Sequence, residues 1–206
     1  IDILGVSYVD EGIALKRAGI EQAIFSINAA PYEAAKIVKW NLEVGVSDKN
    51  LVNALASEAT HAQKKIKVHL HINTGMGRFG CRPEEAKALA LHICSLPSLI
   101  LEGVMTHFAC SEDPKEDPFT LHQVSLFDKT IAEIEESGVS FPWKHAANSA
   151  GALRFSFPQY NMVRLGLALY GLYGSEETKK NVDLRLATSL VSRIVGINEC
   201  KQGDSI

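Results

Sequence analysis

Short apolar, β-rich runs alternate along this chain with longer segments of helical period, and no other feature restricts its fold as much. The strand candidates are Ile3–Val6, Ala23–Ile27, Leu42–Val46, Ile66–Asn73, Leu99–Thr106, Trp143–Ala146 and Asn161–Leu165. Helix candidates lie between and after them, at Val9–Ala18, Pro31–Trp40, Asp48–Ala62, Pro83–Ser95, Pro118–Ser137 and Asn148–Arg154. Boundary residues support them: Ser47 or Asp48 as an N-cap, Pro31 and Pro83 in first turns, Gly19 and Gly138 after last turns. In the fifth helix, Val124, Phe127, Ile131 and Ile134 recur at helical spacing and predict a buried stripe.

Strand–helix alternation without runs of hairpin turns means a parallel sheet, either open and doubly wound or closed as a (β/α)8 barrel. The segment Ile1-Asp2-Ile3-Leu4-Gly5-Val6 reads as a strand already under way, and seven strand candidates follow the barrel rhythm. The expectation is an α/β fold of the TIM-barrel type that lacks its first strand. After about Tyr173 the texture changes, and Leu184–Ile197 alternates like a strand of an antiparallel domain. Residues 1–175 are therefore expected to form the barrel and 176–206 the start of a C-terminal β-rich domain.

Composition narrows the function. A formal net charge of −3 provides no clustered Lys and Arg for nucleic acid. The longest charge-free apolar run, Leu165 to Gly174, is half of the roughly 20 residues that a spanning helix needs. Four cysteines with no CxxC pair fit a reduced, cytoplasmic protein rather than a disulfide scaffold.

In a barrel, the active site is built from the C-terminal ends of the strands. The residues there are Asn73-Thr74-Gly75-Met76-Gly77-Arg78, Thr106-His107, His145-Ala146-Ala147-Asn148-Ser149 and Arg164-Leu165-Gly166-Leu167. Each has a plain structural reading as well: a tight glycine turn, a core histidine, a helix N-cap, a surface charge. Arg164 stands inside an apolar run, so burial against a specific acceptor is the better reading of it. Gly166 would let backbone approach a ligand, and phosphate sites recur after the last two barrel strands. A rival reading uses His69 and His71, on one strand face, with His107 and His145 as a metal-dependent hydrolase site. Against it, Arg164 puts a cation where such a site wants a carboxylate, and His69 lies roughly 13 Å down its strand from Asn73. A non-catalytic barrel used as a binding module is a third reading.

Taken together, the strand-end segments resemble the N-terminal barrel of alanine racemase, a fold type III family that uses pyridoxal 5′-phosphate (PLP). Asn73-Thr74-Gly75-Met76-Gly77-Arg78-Phe79-Gly80 resembles the family's D-T-G-M-x-R-x-G motif. Leu101–Phe108, His145–Ala150 and Asn161–Gly171 are similar to three further segments, in the family's order. The resemblance implies a racemase of L- and D-alanine supplying peptidoglycan synthesis, dimeric, with no metal. It assigns Arg164 to the pyridine nitrogen of PLP, and Ser149 with the backbone N–H groups of Gly166 and Leu167 to the phosphate. Asn148 would support them, His107 would lie against the ring, His145 would back Arg164, and Ile27 would line the pocket. Arg78 would reach the phenolic oxygen and the substrate carboxylate. The family's Schiff-base lysine, in a K-A-N-A-Y-G-like segment, and its tyrosine base do not occur among these residues, so the 206-residue chain alone is expected to be inactive. His71 stands where many members carry a carbamylated lysine, and Asn73 stands where they carry aspartate. A serine or broad-specificity racemase of the same fold type is the alternative.

Overall fold

In the computed structural model, which describes residues 1–204, the alternation becomes a repeated strand–helix unit. In chain order the elements are β1 (Ile3–Val6), α1 (Val9–Arg17), β2 (Ala23–Ser26), α2 (Ala34–Trp40), β3 (Glu43–Val46) and α3 (Lys49–His61). They continue as β4 (Ile66–His71), α4 (Pro83–Cys94), β5 (Leu99–Met105), α5 (Asp117–Glu135), β6 (Trp143–His145) and α6 (Ser149–Arg154). The caps are the residues that the sequence singles out. Asp48 accepts the Asn50 and Leu51 amides at 2.8 and 3.0 Å, and Asn148 accepts the Gly151 amide at 2.9 Å.

Every strand pairs in parallel with the next one in sequence, giving the order β1-β2-β3-β4-β5-β6. A doubly wound sheet must reverse direction at a switch point. This sheet never does, so the strands wind one way into part of a (β/α)8 barrel. The core lies between the sheet and the helices, and the α5 stripe of Val124, Phe127, Ile131 and Ile134 is buried in it. No helix among the described residues is long and apolar enough to cross a membrane.

Two strand expectations are corrected. Asn161–Leu165 does not form a strand; it meets β6 through an isolated parallel bridge between His145 and Met162. β6 has only 3 residues, and the Asn161 side-chain oxygen takes the Lys144 amide at 2.8 Å where a ladder would use a backbone carbonyl. The segment still holds its place, because the Arg164 amide donates to the Ala147 carbonyl at 2.9 Å. Nor is Leu184–Ile197 a strand: residues 182–200 carry no helix or strand, and Leu190 and Val195 are 100% exposed. An alternating pattern becomes a strand only against a partner edge. Ala187 reaches the Tyr170 carbonyl at 3.0 Å, but no strand edge lies beside the segment among the described residues.

Candidate active site

Arg164 sits just beyond the bridge at Met162, and its guanidinium turns into the C-terminal end of the sheet. Nη1 donates to His145 Nδ1 at 2.7 Å and to the His145 carbonyl at 3.2 Å. Nη2 donates to the carbonyls of Thr106 (2.6 Å) and Ala146 (3.0 Å) and lies 3.3 Å from His107 Nδ1. No carboxylate is within ion-pair distance of Arg164 among the described residues, so backbone dipoles and neutral rings hold it. The residue as a whole is half-buried, but Nε is buried and has no partner among the described residues. Burial lowers the guanidinium to about 10, which leaves it a cation at neutral pH. The histidines shift in the same direction, but from a lower starting value, so they end up neutral. Burial, and then the Arg164 charge, lower His107 to about 4 and hold His145 well below the usual imidazole range. Both rings are therefore neutral and able to accept from the guanidinium.

Beside this cage, a small cleft is lined by His71, Ile72, Asn73, Met76, Arg78, Phe79, Thr106 and His107. Its outer wall is the loop after β4. Asn73 Oδ1 accepts the amides of Gly75 and Gly77, both at 3.0 Å, and this folds the loop back on itself. Gly80 closes the loop at φ 106°, and a Cβ there would come within 2.5 Å of the Asn73 nitrogen. Arg78 is exposed at the mouth, its guanidinium 5.5 Å from the centre of the Phe79 ring. His71 is buried below it and lowered to about 3, by burial first and then by the charges of Arg164 and Arg78. No hydrogen bond joins His71 to Arg78 among the described residues.

On the other side, the Ser149 hydroxyl oxygen accepts the Gly166 amide at 2.9 Å and the Ala168 amide at 3.3 Å. Leu167 opens the 3₁₀ turn Leu167–Tyr170, whose first N–H groups lack helical partners. A Cβ built on Gly166 would meet nothing within 4 Å, so open space lies next to these donors. Asn148 fixes the geometry from behind. Its oxygen also accepts the Ser111 hydroxyl at 2.8 Å, and its amide nitrogen donates to the Phe108 carbonyl at 3.3 Å.

This arrangement has close counterparts. Residues 1–174 match the family described as alanine racemase, N-terminal domain. The chain belongs to the alanine racemase family. It is 36% identical over 209 residues to alanine racemase of Treponema denticola, covering 100% of this chain and 55% of that protein. With alanine racemase of Desulfovibrio desulfuricans it shares 37% over 201 residues, 97% of this chain and 54% of the relative. Among solved structures, Clostridium difficile 630 alanine racemase in complex with cycloserine superposes with a TM-score of 0.86 at 29% identity, covering 91% of this chain and 52% of that one. Bacillus anthracis alanine racemase with bound L-Ala-P gives 0.80 at 32% identity, covering 89% and 48%. The chain thus spans about half the length of the relatives that it matches.

As an alanine racemase barrel, the molecule gathers Arg164, His145, His107, Arg78, Asn148, Ser149, Gly166 and Leu167 at one end of the sheet. Ile27 lies just past β2, half-buried, and is not among the residues lining the cleft. Both ring nitrogens of His69 are engaged, Nδ1 with His145 at 2.9 Å and Nε2 with Glu43 at 3.2 Å. One supporting residue escaped the strand-end reading. Gln123 of α5 is fully buried, donates to Thr74 Oγ1 (3.2 Å) and the His107 carbonyl (3.0 Å), and accepts the Ala109 amide (3.0 Å). Its signal was present: Gln123 precedes Phe127 by four, so a polar side chain sits in the register of the apolar stripe.

Proposed function

We propose that this chain is the cofactor-binding barrel of a PLP-dependent alanine racemase that interconverts L- and D-alanine as a cytoplasmic homodimer. The observation that carries the reading is the Arg164 Nε donor, buried and unpartnered, a few residues from the Ser149, Gly166 and Ala168 cradle. A buried donor without an acceptor is costly, so a ligand atom that accepts is favoured beside it. PLP meets both needs, with a pyridine nitrogen that accepts and a phosphate that takes backbone N–H groups. When bound, PLP supplies the electron-withdrawing ring that acidifies the substrate α-proton.

This chain's residues then divide the work. Arg164 cannot release its proton near neutral pH, so it donates to a pyridine nitrogen without protonating it. In that position Arg164 would favour proton exchange over transamination. Ser149 and the amides of Gly166, Leu167 and Ala168 hold the phosphate, with Asn148 bracing Ser149. His107, neutral and bonded towards Arg164, packs beside the ring. Arg78, at the mouth, meets the substrate carboxylate and the phenolic oxygen. Transfer from one face to the other needs two bases, and the lysine and the partner-borne tyrosine of the full-length protein supply them.

The test is D-alanine formation from L-alanine in deuterated water. The full-length protein with PLP should form α-deuterated D-alanine, and the 206-residue chain should form none above free PLP. Faster turnover of serine than of alanine would move the reading to a broad-specificity racemase. PLP binding that is indifferent to Arg164→Ala would overturn the cofactor assignment.

A further inference from the structure

We propose that Glu43 and His69 are positioning residues for Arg164: with His145 they form a hydrogen-bond chain of one fixed direction, from the guanidinium through the barrel interior to the Glu43 carboxylate. The chain is drawn from this molecule's own contacts, and its role rests on the reading of Arg164 given above.

The direction follows from what each group can do. A guanidinium only donates, so His145 Nδ1, at 2.7 Å from Nη1, must accept. The neutral ring then carries its proton on Nε2 and donates it to His69 Nδ1 at 2.9 Å. His69 in turn carries its proton on Nε2 and donates to Glu43 Oε2 at 3.2 Å. Reversing His145 would set its N–H against the guanidinium, and reversing His69 would set its N–H against that of His145. Glu43 opens β3, His69 lies in β4 and His145 ends β6, so the chain ties three strands to Arg164. It is shielded from water: His69 and His145 are 0% exposed and Glu43 7%.

The sheet is deformed to admit the His69 ring. The β4–β5 register slips between Val68 and His69, so that His69 pairs with Gly103 and Glu102 is passed over. A Cβ on Gly103 would lie 2.4 Å from His69 Nδ1, so a side chain there would evict the ring. The far end of the chain is anchored too: Lys67 lies 3.8 Å from Glu43 and 2.7 Å from the displaced Glu102. The arrangement solves a specific problem. A carboxylate placed directly on Arg164 would grip it in a two-pronged fork and compete for its donors. Holding the counter-charge two imidazoles away balances the guanidinium and leaves Nε free.

The experiment uses the full-length protein labelled with ¹⁵N-histidine and loaded with PLP. Long-range ¹H–¹⁵N correlation should place the protons of both His69 and His145 on Nε2; a proton on Nδ1 of either ring overturns the proposal, whatever the enzyme does. In PLP titrations, His69→Leu and Glu43→Leu should each raise the dissociation constant about tenfold or more. His69→Gln should restore it to within about threefold, because its amide accepts from His145 through oxygen and donates to Glu43 through nitrogen. Leucine variants that bind like wild type, or a glutamine variant that binds like leucine, would overturn it. Should the leucine variants fail to fold, the wild-type tautomers decide alone. Wild-type tautomers as expected in a protein whose PLP affinity ignores Arg164→Ala would instead break the cofactor reading and leave the chain standing.

Discussion

The two arginines of the site are opposites. Arg164 is gripped by three backbone carbonyls and a histidine, with a second histidine ring alongside, while Arg78 is exposed and rests on the face of Phe79. The first has lost its rotamer freedom before any ligand arrives, so its remaining donor is aimed in advance. The second keeps that freedom, as the substrate contact proposed for it requires. One residue type is thus held rigid at one position and left mobile at another, and the backbone around each decides which.

The contrast can be broken at its strong end first. Arg164→Glu in the full-length protein should lower racemisation by about two to three orders of magnitude, since a preorganised donor becomes an acid facing carbonyls. Transamination, read as pyruvate formation, should rise at the same time. Unchanged racemase turnover would remove Arg164 from the mechanism. Next in size is Arg78→Ala, which should weaken PLP binding only severalfold, through its contact with the phenolic oxygen, and lower kcat/KM for alanine by about ten- to a hundredfold, mostly through KM. A loss of PLP binding instead would make Arg78 scaffold as well.

The cage should also show in acid. His71 and His107 are lowered to about 3 and about 4 in the folded protein, against an unfolded value of 6.5. Their contribution is complete above pH 6.5. As pH falls below it, the unfolded chain takes protons that the folded one refuses, so stability drops by up to about 1.4 kcal/mol per pH unit for each histidine. Urea midpoints between pH 7 and 4.5 check this, and His71→Gln should flatten the slope. The smallest effect is expected for Asn73→Asp. The carboxylate still accepts the Gly75 and Gly77 amides, and its added charge near the exposed Arg78 is screened by water. Activity should stay within about threefold, and a larger change would show that the neutral amide tunes Arg78.

Much of this was legible in the residues because its causes are local. Element boundaries followed from caps and periodicity, and the isolated cation at Arg164 in an apolar run foretold its enclosure. What encloses it was not legible: the carbonyls of Thr106, His145 and Ala146 belong to backbone, which looks the same at every position. Nothing local in the sequence marks Glu43, and only the assembled sheet puts His69 against it. The two strands that failed to form, Asn161–Leu165 and Leu184–Ile197, failed for the matching reason. Their pattern permits a strand, but pairing needs an edge of sufficient length, and among the described residues β6 offers three residues to the first and no strand edge lies beside the second.

The sequential strand order has a consequence for how the molecule is made. Each strand finds its partner in the segment synthesised just before it, so loop closure stays short and the sheet can grow in the direction of translation. The cage does not share that convenience. Its parts run from Asn73 to Ala168, and Arg164 closes it only after β6 has docked. A nascent chain halted before Arg164 should therefore protect the amides of β2 to β4 from hydrogen exchange while still failing to retain PLP.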